Sequence, residues 1–489
     1  MKHTSLAVVV LLVLSLAGAI IVRTARLAPP QSPAPPQVRI QVDADRVARE
    51  LAGAIRIRTV SYDDPGQADA AAFLELHDYL RTTFPGVHTT LSRETVNTAS
   101  LLYAWRGRDP ALEPAVFMAH LDVVPVDERG GPWAHGPFSG EIADGFVWGR
   151  GALDDKGNLI TLLEGVEHLV AEGFQPRRTI YLVCGHDEEA GGTAGTRRVV
   201  ETLRERGVSR FAVVSDEGGM VGKGLTPGVD RPVAMVGIAE KGYLNLELKV
   251  VTEGGHSSMP PAETSIGILS RALARVEATP FPPSLEGPTR QMFESLAPEM
   301  PLAMRLPLAN LWLFEPLVVR QLMKDPRAAA FIHTTVAPTV VRAGVKANVL
   351  ASEATALVNL RLGPRDSVAG AIAFVRGAIG DERVTVTVKG EATEPSPVSD
   401  THAAAFGMLT RTIRQALPPD VIVSPMLVVA GTDSKYFAAH SPNVFRFSPV
   451  IVAPVDVGRF HGKNERIAVD SLVTSVRYYY QLIKNADAL

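Results

Sequence analysis

Thiols are almost missing from this chain: among its 489 residues there is one cysteine, Cys184. No intrachain disulfide can form, so cysteine usage does not identify the compartment. Cys184 lies in the strand-like run Thr-Ile-Tyr-Leu-Val-Cys and is expected to be an inert core thiol, since a buried free cysteine behaves as a small hydrophobe. A charge excess is missing too. The formal net charge is -3, whereas a general nucleic-acid binder carries a basic surplus, so no nucleic-acid partner is expected. There is no Gly-x-Ser-x-Gly elbow for a serine hydrolase. Neither a phosphate-cradling Gly-x-x-x-x-Gly-Lys-Ser/Thr nor a His-Glu-x-x-His occurs. Cys184 and His186 stand two residues apart, which in an extended strand implies no attack geometry. No internal repeat or heptad array is visible.

What remains is an ordinary globular composition, 46% hydrophobic and 21% charged, long enough for two or three domains. The amino terminus departs from it. Lys2 precedes an apolar run from Leu6 to Val22, followed by Arg23 and Arg26. The run is longer than a typical signal-peptide core and near the lower limit of about 17 residues for a spanning helix. Ala17-Gly18-Ala19 offers a cleavage site, but cutting there leaves Ile20-Ile21-Val22 on the new terminus, so an uncleaved anchor is preferred to a cleaved signal. The proline-rich Ala28 to Pro36 then suits a semi-extended spacer. The expected location is a membrane-anchored protein with its catalytic domain outside the cytoplasm, or a secreted one.

From about Val38 strands and helices alternate. Val116-Phe117-Met118 runs into His120, Ile180 to Val183 towards Glu188, and Phe211 to Val214 into Asp216. Short apolar runs ending in polar clusters read as buried strands of a largely parallel sheet, with function at their carboxyl ends. Leu159, Leu163, Val166 and Val170 recur at helical spacing and Gly173 closes that helix, which starts just after Asp154 and Asp155. After about Gly237 the texture changes. Leu244, Leu246, Leu248 and Val250 alternate with polar residues, as do Leu357 to Leu362 and Val384 to Val388, while residues 277–335 are proline-rich and then helix-like. The expected fold class is α/β: a catalytic domain with a mainly parallel sheet flanked by helices, plus an inserted α+β lid domain. The expected boundaries are 1–26 for a signal peptide or membrane anchor, 27–38 for a proline-rich linker, 39–236 and 394–489 for the two parts of the catalytic domain, and 237–393 for the lid. Insertion is required if His461 is to join the early acids.

Those acids carry the chemistry. His120 and Asp122 in His-Leu-Asp, Asp154, the pair Glu188-Glu189, Asp216 and His461 make a set of hard oxygen donors and imidazoles without thiolate. Such a set suits a hydrolytic site with two divalent metals better than a structural zinc site. Two close metals need a shared ligand, and the two oxygens of Asp154 are the best candidate. His120 and Asp216 could complete one metal, Glu189 and His461 the other. Asp122 could accept the second N–H of His120 and fix its tautomer. Glu188 is then left to move a proton. Donor chemistry alone leaves these roles interchangeable, and any single acid at a strand end reads equally well as a solvated or capping residue.

Taken in order, the stretches Met-Ala-His120-Leu-Asp122-Val-Val-Pro, Trp148-Gly-Arg-Gly-Ala-Leu-Asp154-Asp155-Lys156-Gly157, Gly185-His-Asp-Glu188-Glu189, Ser215-Asp216-Glu217-Gly218 and His461-Gly-Lys-Asn464-Glu465 resemble the dinuclear zinc hydrolases. That family includes acetylornithine deacetylase, succinyl-diaminopimelate desuccinylase, aminoacylase, dipeptidase and the vacuolar Gly-X carboxypeptidase. The match runs from about residue 40 to the end. It implies two zinc ions, with cobalt or manganese admitted by the carboxylates. Asp154 would bridge them, His120, Glu189, Asp216 and His461 would be the other ligands, Glu188 the general base and Asp122 the orienting acid. A non-prolyl cis bond after Asp154 is implied as well.

The resemblance extends to substrate contacts. Gly254-Gly255-His256-Ser257-Ser258 is similar to the family's lid loop, whose histidine polarises the scissile carbonyl and, in shorter members, acts across a dimer. Asn348 and Arg361 resemble residues that hold the substrate carboxylate. Gly431 and Thr432, in Gly431-Thr432-Asp433-Ser434, resemble a substrate-contact loop. The plainer readings are an exposed histidine, a surface strand arginine and a simple turn. Gly-His186-Asp-Glu-Glu, with the long lid and apolar amino terminus, is closest to the Gly-X carboxypeptidase and N-fatty-acyl amino acid hydrolase branch. The implied activity is hydrolysis of a peptide or N-acyl amide bond next to a free carboxylate, on a small peptide or N-acyl amino acid, by metal-bound hydroxide with Glu188 as base. The rival is a membrane-tethered, non-catalytic binding protein on a peptidase scaffold. The complete set of five ligands and base speaks against it. A homodimer through the lid is left open, because a long lid can substitute for a partner.

Overall fold

The computed structural model describes residues 2–27, 35–62, 64–127 and 131–489. Most of the expected linker, residues 28–34, lies outside the described residues. Beyond it, Val38 donates its N–H to the carbonyl of Gln415 at 2.9 Å, tying the start of the body to its last third.

The apolar runs read from the sequence form the middle of a ten-stranded sheet. Ala115–His120 pairs in parallel with Ile180–Gly185 on one side and Val213–Asp216 on the other, and Val444–Arg446 continues in parallel beyond. Ile422–Val428 runs parallel to Val233–Glu240, whereas Ser92–Val96 and Ser100–Trp105 close one side antiparallel. Both faces are covered, which is why these strands are apolar throughout rather than alternating. Phe117, Leu182 and Cys184 point to a core shared with the helices Ala44–Arg56, Lys156–Ala171 and Val469–Asp487. Val116, Met118 and Val183 point the other way, against Val199, Val200 and Leu203 of Thr196–Glu205. Burial pushes the Cys184 thiol up to about 12, so it stays protonated, as expected for a core residue.

A second, four-stranded antiparallel sheet follows the order Thr335–Ala343, Glu353–Leu362, Gly242–Val251, Val384–Val388. Along Gly242–Val251 burial alternates residue by residue. One face packs on the helices Ser265–Ala278 and Val368–Ile379 through Ile268, Leu269, Val375 and Ile379. Thr264 and Ser367 cap those helices by accepting the N–H groups of Gly267 and Gly370.

The strand Val233–Glu240 belongs to the large sheet along its whole length, so a boundary at 236/237 would cut a paired strand; the second sheet starts at Gly242. The helix-like part of residues 277–335 falls within the range expected for the lid, 237–393. Its helix Pro288–Leu296 instead packs on the large sheet, Met292, Leu296 and Met300 meeting Val229, Val233 and Ile422. Helical periodicity marks the buried stripe but not the surface that buries it.

The amino-terminal helix Lys2–Arg26 is long and apolar enough, over Leu6–Arg26, to cross a membrane.

Candidate metal centre and substrate cleft

The loops after neighbouring parallel strands converge on one point. His120 is the last residue of its strand, and Glu188 and Glu189 form a short turn after Ile180–Gly185. Asp154 precedes the helix Lys156–Ala171, and His461 arrives from the last part of the chain in a left-handed backbone conformation, φ 54°. Each oxygen of Asp154 faces a different imidazole: Oδ1 lies 2.9 Å from His120 Nε2 and Oδ2 lies 3.1 Å from His461 Nε2. His461 Nε2 is also 3.1 Å from Glu189 Oε2. Asp122 is fully buried behind them. Its Oδ1 and Oδ2 accept the N–H groups of Glu188 and Glu189, both at 3.1 Å, and its Oδ1 stands 3.2 Å from His120 Nδ1. The peptide bond between Asp154 and Asp155 is cis. Asp155 accepts the backbone N–H of His120 at 3.0 Å.

The electrostatics of the cluster suits a cation. Burial works against ionisation of Asp154, yet the hydrogen bonds from His120 and His461 outweigh it and hold its carboxyl below the usual range. The hydrogen bond to Asp154, then that to Glu189, raises the His461 imidazole to about 10. Burial pushes Glu188 and Glu217 well above the ordinary carboxylate range; Asp433 and Glu189 add to it at Glu188, Asp154 and Asp155 at Glu217. So many half-buried acids facing two imidazoles match divalent cations in charge and in donor type. His120, Asp154 and Glu189 bring ligand atoms within 4.8 Å of one another, and so do His120, Glu188 and Glu217.

Beside the cluster opens a cleft of about 690 Å³, reached by Asp154, Glu188, Glu189, Glu217 and His461 on one side and by Tyr243, Asn245 and Arg361 of the second sheet on the other. Arg361 stacks over the Tyr243 ring at 4.7 Å. Gly431 and Thr432 line the same space. The buried Glu240 carboxylate holds that loop, accepting from Thr432 N at 2.8 Å, Thr432 Oγ1 at 2.9 Å and Arg446 Nε at 3.0 Å.

The profile of peptidase family M20/M25/M40 matches residues 116–485. The chain belongs to this family. It is 39% identical over 447 residues to the probable carboxypeptidase S-like 2 of Dictyostelium discoideum, covering 90% of this chain and 85% of that protein. With the N-fatty-acyl-amino acid synthase/hydrolase PM20D1 of Xenopus tropicalis it shares 41% identity over 448 residues, 90% of this chain and 86% of that one. Its fold is that of the M20 metallo-carboxypeptidase Sso-CP2 of Sulfolobus solfataricus, with a TM-score of 0.68 at 16% identity over 91% of this chain and 99% of that one. This M20 chain is therefore a metal-dependent hydrolase, a metallopeptidase or amidohydrolase, and the reading as a non-catalytic binding protein is not favoured.

Within the M20 site, most residues singled out from the sequence meet, but three do not. Asp216 ends its strand with each oxygen accepting a backbone N–H: Oδ1 from Glu217 at 2.9 Å and Oδ2 from Ser434 at 2.7 Å. The carboxylate of the next residue, Glu217, brings a ligand atom within 4.8 Å of those of His120 and Glu188. Both acids stand side by side in Ser215-Asp216-Glu217-Gly218, and only the backbone direction at the strand end distinguishes them. His256 and Asn348 sit together outside the cleft, on an exposed ribbon in which Gly255–His256 pairs with Val349–Leu350. His256 Nδ1 lies 2.7 Å from Ser258 Oγ, and Ser257 N donates to Asn348 O at 3.3 Å. Glu465, in His461-Gly-Lys-Asn464-Glu465, is a functional neighbour that donor type alone does not single out. Buried, it accepts the N–H groups of Gly151 at 3.1 Å, Leu153 at 2.8 Å and Asp154 at 3.2 Å, with Arg150 Nη1 at 2.5 Å. It thereby holds the loop that presents Asp154.

Proposed function

We propose that this hydrolase cleaves the amide bond of N-acyl amino acids or short peptides next to a free carboxylate, with two divalent cations, zinc first, at the cluster. The observation that carries this is Asp154, one oxygen 2.9 Å from His120 and the other 3.1 Å from His461. It has the form of a carboxylate shared by two cations. His120 and Glu217 would complete one position, His461 and Glu189 the other. Bound there, the pair supplies Lewis acidity, polarising a carbonyl and making water more acidic. Glu188, its pKa raised by burial, takes a proton from the attacking water and delivers it to the leaving nitrogen. Arg361, stacked on Tyr243 across the cleft, pairs with the substrate carboxylate. Gly431 and Thr432, held by Glu240, line the chain of the substrate. The names of the relatives, a carboxypeptidase and an N-fatty-acyl-amino acid hydrolase, support both substrate classes.

E188Q tests the role. It should lower kcat by about 10²–10⁴-fold, with metal content by elemental analysis unchanged. Turnover at the wild-type rate would sink the mechanism, and a dialysis against chelator should abolish activity until metal is restored.

The second sheet with its helices Ser265–Ala278 and Val368–Ile379 is read as the lid. His256 and Asn348 on its exposed ribbon are read as completing the site of a second copy, because a ribbon outside its own cleft has no other substrate to meet. The exposed Val340, Val341, Val345 and Val349 beside that ribbon support a partner there. The helix Leu6–Arg26 is read as an uncleaved anchor, holding the catalytic body outside the cytoplasm; a cleaved signal leading to secretion is the alternative.

A further inference from the structure

The helical insertion carries an apolar face that no other described element covers. Helix Leu311–Leu322 buries Leu311 in a small core with Leu285 and Ile332. Its opposite side would be polar if it met water. Instead Trp312, Leu313 and Leu317 are 54%, 39% and 60% exposed, and Pro316 is exposed among them. Positions 312, 313, 316 and 317 share one side of the helix. The preceding helix Leu302–Ala309, bent from it by 118°, adds Leu302 at 66%.

The amino-terminal helix ends at this same spot. Thr24, in its last turn, is buried, and its hydroxyl accepts a hydrogen bond from Asn310 Nδ2 at 3.0 Å. The Arg23 guanidinium lies 5.9 Å from the centre of the Trp312 ring. Trp312 thus stands where the apolar helix gives way to Arg23 and Arg26, and both arginines line the groove beside it. Arg290 in the same groove is paired with Glu315. A tryptophan next to arginines at the end of a long apolar helix is the composition of a membrane–water boundary.

We propose that this face is a second membrane contact. The helices of Leu302–Leu322 enter the headgroup region of an anionic bilayer beside the amino-terminal helix and hold the catalytic body against the surface rather than at the end of a free tether. This rests on the anchor reading above. Such a face dips about 5–10 Å into the boundary between headgroups and acyl chains, where amphiphilic N-acyl amino acids also partition.

The test uses the full chain in phosphatidylcholine vesicles containing phosphatidylglycerol, with or without bromine on the acyl chains. Of the four tryptophans, Trp105 and Trp148 are buried, and the amino-terminal helix contains none. Brominated lipid should quench part of the emission of the wild type and none of that part in W312F. L317D should lose most of the quenching while hydrolysing a short soluble dipeptide at the wild-type rate. Flotation of the same samples reads the anchor separately. Protein that floats without Trp312 quenching overturns the patch and leaves the anchor standing; protein that neither floats nor is quenched overturns both. An unquenched dimer that L317D splits assigns the face to a second copy and equally overturns the proposal.

Discussion

Asp216 and Glu217 are chemically near-equal neighbours with opposite fates. The strand end gives Asp216 two backbone N–H donors and turns Glu217 towards His120. The two substitutions should therefore separate. If Glu217 is the ligand, E217Q is expected to weaken metal binding by on the order of 100-fold or more, the upper range even for partners behind a ligand. D216N keeps one acceptor oxygen and should retain metal, losing activity through the loosened loop at Ser434. Titration with a fluorescent zinc indicator distinguishes them. Equal metal loss in both would restore Asp216 as a ligand. His120 illustrates the same dependence on surroundings: Asp122 Oδ1 stands 3.2 Å from its Nδ1, a contact that His-Leu-Asp suggests and only the fold supplies.

At the level of elements, the site rests on helix pairs that carry buried charge of their own. Arg46 of Ala44–Arg56 bonds Glu50 Oε1 at 2.7 Å and Glu164 Oε2 of Lys156–Ala171 at 2.9 Å. Burial, reinforced by the charge of Glu164, pushes the Glu50 carboxyl up to about 7 from its ordinary 4.5. The folded chain thus holds a proton that the unfolded chain releases above about 4.5. Glu50 consequently costs stability increasingly as pH rises through the window from 4.5 to about 7. E50Q should remove that slope, raising stability at pH 8 by about 1–2 kcal/mol after allowance for partial exposure and leaving pH 5 nearly unchanged. Thermal unfolding at the two pH values measures it; a gain at pH 5 as large as at pH 8 would contradict the assignment. Elements were legible where one period dominated. The alternation along Leu244 to Val250 and the helical spacing of Leu159, Leu163 and Val166 both recur in the structure. The stretch 288–322 was legible as helix but not as a neighbour of Val233 and Ile422, since an amphipathic stripe carries no address.

The whole molecule poses a question that one chain does not answer by itself. His256 and Asn348 lie on an exposed ribbon while Arg361 of the same sheet lines the cleft. If His256 serves the site of a partner, two inactive variants should complement each other. Equal mixtures of refolded or co-expressed H256A and E188Q form half mixed dimers, each with one intact site, and should recover about one quarter of wild-type activity. Activity that never rises above that of the separate variants would instead favour closure of the lid within one chain.

By itself the sequence determined the chemistry of the site and the fold class. Hard donors and imidazoles in His120, Asp154, Glu189 and His461 restrict the reaction to metal-assisted hydrolysis, and both-sided apolar runs restrict the sheet to a covered, mainly parallel one. These properties reside in side-chain type and local period, which the chain carries without folding. Tertiary structure decided what depends on direction and distance. It decided which of two adjacent acids meets the cluster, and that the carboxylate of Glu465 gathers the amides of the Asp154 loop. It also decided that Pro288–Leu296 covers the large sheet, and that the amino-terminal helix ends beside Asn310 and Trp312. Each is a contact between segments far apart in the chain, set by packing of the whole rather than by any residue's own preference.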